Sequence, residues 1–142
     1  MFLTEMILLT LFSVLLTSGT SAIAEELIYL HCKGDLTSKV ANTNTSEIIQ
    51  QNKGKQSKTF IIDPQRRMVM FKGGQWLNAE MIDGLLSSTG RSGQGFSTSE
   101  ETIRISLDPV SEYTYAQRIQ QRNITMEINV IGTCQKVDPS SL

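Results

Sequence analysis

The chain has little of what most site chemistry needs. Among its 142 residues there is one histidine, one tryptophan, two cysteines and three prolines. Zinc asks for about four N, S or O ligands in one cluster, and one His with two Cys falls short of that. No metal or other cofactor is therefore expected. Met68 and Met70 with His31 form the nearest thing to a soft copper(I) set, but core packing accounts for both methionines more simply. No phosphate loop is present, because the glycines at 73, 74, 90, 93 and 95 are not followed by Lys-Ser/Thr. No charge of one sign dominates: 13 Lys and Arg face 14 Asp and Glu. A nucleic-acid partner needs a basic face to neutralise phosphates, so that class is excluded, as is electrostatic docking on a membrane.

Long apolar runs are also missing. Met6 to Thr17 is the longest, about a dozen positions against the roughly 20 of a membrane-spanning helix. Its length suits the core of a signal peptide, and Ala22-Ile23-Ala24 has the small-x-small form of a cleavage site. Residues 1–24 are thus expected to be a signal peptide and 25–142 a single β domain, periplasmic or secreted, with no stable membrane insertion after cleavage. The segment before the run carries Glu5 and no Lys or Arg, which leaves a retained N-terminal anchor as the competing reading.

What the chain does have is alternation. From Ile124 to Cys134 every second residue is apolar, glycine or cysteine, the period of a half-buried strand. Ile28, Leu30 and Cys32 share one face of an earlier strand in the same way. Both cysteines point into one core, so a Cys32–Cys134 disulfide is expected in an oxidising compartment, two free thiols being the alternative. Between these ends, Thr59–Pro64 and Arg104–Pro109 align at a shift of 45 residues, each reading as strand, Asp-Pro turn, strand. On that alignment Met68 and Met70 take the core positions of Tyr113 and Tyr115. Asp35–Ser57 is polar and reads as a long loop with a short helix around Ser46–Gln51; Ser87–Ser99 reads as a Gly/Ser-rich flexible connection. Residues 79–88 fit either a strand or one to two helical turns. The fold class is then mainly β: a small antiparallel meander of seven or eight strands, with at most one short helix, forming a barrel or a two-layer sandwich.

Few residues carry chemistry. His31 falls on the polar face of its strand beside a cysteine expected to be bridged, which leaves it without a nucleophile or an orienting acid. Asp63 and Asp108 have local duties in their turns rather than forming a glycosidase pair. No enzyme is expected. Trp76, Arg91 and Phe96 are the candidate binding residues, with Trp76 alternatively covering one end of the core. Asn44-Thr45-Ser46 and Asn123-Ile124-Thr125 fit the glycosylation pattern.

Tyr29-x-x-Cys32-x-Gly34, the Phe60-x-Ile62-Asp63 and Ile105-x-Leu107-Asp108 hairpins and the closing Gly132-Thr133-Cys134 resemble a group of small exported bacterial proteins. The resemblance implies a β-rich periplasmic domain with one disulfide and brings no activity with it. In outline the chain is also similar to exported inhibitors of C-type lysozymes. Their Ser-Gly-x-x-Tyr stretch is not matched, since Ser111-Glu112-Tyr113 lacks the glycine. The expected function is a non-catalytic exported binding module for a protein or cell-envelope component. A small-ligand carrier in a barrel mouth, or an inhibitor of an extracytoplasmic hydrolase, is the alternative.

Overall fold

The computed structural model describes residues 26–142, so the expected signal segment lies outside the described residues. Nine strands follow in chain order: β1 (Ile28–Asn42), β2 (Ile48–Asp63), β3 (Met68–Phe71), β4 (Leu77–Asn78), β5 (Glu80–Ile82), β6 (Leu85–Gln94), β7 (Ser97–Leu107), β8 (Val110–Gln121) and β9 (Ile124–Lys136). All pairings are antiparallel, in the order β4-β3-β2-β1-β9-β8-β7-β6-β5. The two ends of that order, β4 and β5, are joined through Ala79 alone, so one short segment lines both edges. The result is a nearly closed, barrel-like sheet. Nine strands replace the expected seven or eight, and a 3-10 turn at Pro139–Ser141 is the helical element among the described residues.

Alternation builds the core. Leu30 and Cys32 of β1, Phe60 and Ile62 of β2, Val69 of β3, Leu86 of β6, Ile103 and Ile105 of β7, Tyr113 and Tyr115 of β8, and Val130 and Cys134 of β9 are all buried. Each of the aliphatic side chains and Phe60 contributes roughly 1.5–3 kcal/mol when taken from water. Cys32 and Cys134 sit directly opposite in the β1–β9 register and form the disulfide, closing a sequence separation of 102. Two residues along, Gly34 faces Gly132, and the strands touch there: a Cβ on Gly132 would run into the Lys33 carbonyl oxygen.

Several expectations are corrected. Asp35–Ser57 is no loop and holds no helix; it forms most of the β1–β2 hairpin, with Ser46 at φ 59° in the turn. Its polar sequence reflects a distal β2 whose side chains are exposed on both faces and whose backbone is open along one edge. Ser87–Ser99 is likewise ladder rather than flexible connection, turning only at Gly95 (φ 64°) and Phe96. Residues 79–88 are strand and turn, without helical turns. The two Asp-Pro hairpins differ in turn length. Four residues separate β2 from β3, whereas Asp108 and Pro109 alone separate β7 from β8. In the first hairpin Val69 is therefore buried, and Met68 and Met70 are not its core residues. Asp63 does cap its turn, its carboxylate accepting from the Arg66 N–H at 3.1 Å.

Candidate functional site

The wall of the sheet has uneven height. β3 meets β2 only over Phe60–Asp63, and β5 meets β6 only over Leu85–Ser87. Beyond those registers β2 runs on to Ile48 and β6 to Gln94, each laddered on one side alone. Six strands thus rise past a low section made by β3, β4 and β5, leaving a notch whose foot is the turn between Phe71 and Leu77. A cavity of about 260 Å³ lies in it, bordered by Phe71, Gln75, Leu77, Gly90, Arg91 and Glu101.

Where the apolar core ends at the notch, the interior becomes polar. Parity carries Lys58 inward from the Phe60–Ile62 face, and its Nζ lies 4.1 Å from the Phe71 ring centre and 4.0 Å from that of Tyr115. Both rings belong to an aromatic cluster with Phe60 and Tyr113, with centroids 5.1–5.9 Å apart. An ammonium between ring faces is attracted by their quadrupoles. Burial nevertheless lowers the Lys58 pKa, with nearby Glu101 opposing the shift. Burial also pushes the Tyr113 hydroxyl up to about 12, and raises Tyr115 further with help from the Glu101 charge. Tyr113 donates to Gln56 Oε1 (3.3 Å), Tyr115 to Gln117 Oε1 (3.2 Å), and Gln117 Nε2 to Ser99 Oγ (3.4 Å). One Glu101 carboxylate oxygen is buried without a hydrogen-bond partner. Lys58, Glu101, Gln56 and Gln117 thus line the mouth with polar groups above the aromatic cluster.

Arg91 stands on the notch rim, its guanidinium 2.9 Å from Glu100. Trp76 is half-buried at the notch foot, between the cavity residues Gln75 and Leu77. Phe96 is elsewhere: it tips the β6–β7 hairpin and is 83 % exposed. Ile48, Ile49 and Ile124 are exposed near the other two hairpin tips at that end. The tips are tied together, because Arg122 N–H donates to the Phe96 carbonyl (3.3 Å) and Thr43 N–H to that of Asn123 (2.8 Å). Sequence reasoning missed Lys58 and Glu101. The signal for Lys58 was parity, since it continues the Phe60–Ile62 face by one step.

The His31 side chain lies on the outer face of β1, with Nε2 2.9 Å from Ser57 Oγ and Nδ1 3.4 Å from Thr59 Oγ1. A base holding a serine needs its other nitrogen oriented, and here that nitrogen meets a hydroxyl rather than a carboxylate. Among the described residues no three His, Cys, Asp or Glu side chains gather as a metal site, and no helix is long and apolar enough to cross a membrane. Comparison with protein-family models, with curated proteins and with solved structures finds no match to this chain.

Proposed function

We propose that the chain is a non-catalytic exported module that binds another protein at the notched, hairpin-tip end of its sheet. The observation that carries this reading is the pair of tall, one-sided strands beside a low wall, crowned by exposed Phe96, Ile48, Ile49 and Ile124. Large apolar side chains and arginines of this kind are what interface centres use, and near-balanced charge favours a protein over an anionic surface. The disulfide supports an oxidising compartment. A photo-crosslinker at position 96 of the protein purified from its host, against one at exposed Ile131 on the far wall, tests the proposal. A single exported protein captured from position 96, and lost with Ile49→Asp, is the expected result. Equal labelling from both positions, or none, contradicts it.

A small-ligand carrier is the second reading, favoured by the notch cavity and the unpartnered Glu101 oxygen beside it. Native mass spectrometry of host-purified protein separates the two: a retained adduct lost in Glu101→Ala supports the carrier, and a bare polypeptide mass opposes it.

A further inference from the structure

The upper part of β2 is an open strand edge. The Thr59 carbonyl accepts from Lys72 N–H at 2.9 Å, so the backbone groups of Thr59 point toward the β3 side. Direction alternates along a strand, and those of Ser57, Lys55, Lys53 and Gln51 therefore point the same way. Over that stretch β2 pairs with β1 alone, because its pairing with β3 begins at Phe60. The even-numbered residues Lys58, Gln56, Gly54 and Asn52 turn their backbone groups to β1 instead. Around the sheet, β3 and the β4–β5 segment separate β2 from β6. Three strand spacings of about 4.8 Å make the notch roughly 14 Å across at its foot, room for one or two added strands.

Charge says what fits. Between Ile48 and Thr59 there are three lysines and no acid. Lys53 and Lys55 are exposed on the outer face, and Lys55 is ion-paired to Asp35. An isologous pairing of two copies centred on Gly54 sets Lys53 of each beside Lys55 of the other, a like-charge arrangement that sheets avoid. We infer that this edge takes up an extended segment of another protein as an added strand, with acidic side chains at alternate positions facing Lys53 and Lys55. The residues between them face inward, over Phe71 and Leu77 at the notch foot. Main-chain bonds supply affinity and alternate side chains supply selectivity, the logic of strand addition. The inference rests on the binding-module reading and names its partner's chemistry.

The test uses the isotope-labelled mature protein and two synthetic peptides, Thr-Glu-Val-Glu-Val-Glu-Thr and its counterpart with Lys for Glu. With the Glu peptide, amide exchange at Gln51, Lys53, Lys55 and Ser57 is expected to slow at least tenfold, while the Lys peptide leaves it unchanged. Lys53→Pro removes an N–H the fold does not use and should abolish the protection. Lys53→Glu should weaken it several-fold, and carries the test if the proline variant loses its unfolding midpoint. No protection, or equal protection by both peptides, overturns the inference. So does protection without peptide that grows with protein concentration, which would mean that a second copy occupies the edge. Peptide binding that survives Lys53→Pro but is lost with Phe96→Asp defeats strand addition and leaves the binding-module reading standing, whereas the crosslinking result at position 96 decides that reading by itself.

Discussion

Phe60 shows what a single position contributes. It is fully buried and packs its ring against both Phe71 and Tyr113. Phe60→Ala is expected to cost about 3–5 kcal/mol, read as a lower urea midpoint at unchanged slope. Beside it, Tyr113 gives the molecule an alkaline limit. Its folded pKa of about 12 lies above the ordinary 10.0, so the fold favours the protonated hydroxyl. That contribution is complete below pH 10 and is lost as pH rises toward 12. Urea midpoints measured from pH 9 to 12 should fall for the natural protein and fall less for Tyr113→Phe. Lys58 acts in the opposite direction: its lowered pKa makes stability rise with pH up to its ordinary value near 10.5. The fall therefore belongs to the tyrosines. At Lys58 parity pointed inward while residue type pointed outward, because a lysine is solvated far more often than it is set between two rings.

At the scale of the strand, two glycines make opposite predictions. A Cβ on Gly132 meets the backbone of Lys33 and Gly34, whereas one on Gly54 meets nothing within 4 Å. Gly132→Ala should destabilise at or beyond the upper end of the about 1–3 kcal/mol typical of overpacking. Gly54→Ala should stay within about 0.5 kcal/mol of the natural protein, both by thermal unfolding. The same contrast explains what the sequence disclosed. β9 was legible because the face that carries Val130 and Cys134 is dry and the opposite face, with Ile131, is wet, which writes period two into the residues. Its partner face, Leu30 and Cys32, was legible for the same reason and brought the disulfide with it. The distal half of β2, from Ile48 to Ser57, was read as a loop because its side chains are almost all exposed on both faces. Only its ladder to β1 holds it straight, and backbone pairing leaves no mark on residue type. In the distal parts of β6 and β7, between Ser87 and Ser99, small Gly, Ser and Thr residues hid the strand pairing in the same way. Of the candidate binding residues, Arg91 reached the notch and Trp76 its foot, while Phe96 stands apart at the tip.

For the molecule as a whole, the sheet is held shut by the β1–β9 seam, and the disulfide pins that seam across a separation of 102 residues. Replacing both cysteines by alanine should cost about 4–5 kcal/mol in the chain-entropy account of a loop this long, measured as the loss of unfolding free energy in urea. The opening lies on the other side of the sheet, where β3 to β5 stop short and leave the upper part of β2 paired with β1 alone. That unpaired edge is the feature on which the proposed partner choice depends. Residue-resolved hydrogen exchange along β2 in the free protein tests it most directly. Fast exchange at Gln51, Lys53, Lys55 and Ser57, alternating with slow exchange at Asn52, Gly54, Gln56 and Lys58, is the expected result. Uniformly fast exchange over 51–58 would mean that no hairpin stands there, and uniformly slow exchange that the edge is already covered; either contradicts an open strand waiting for its partner.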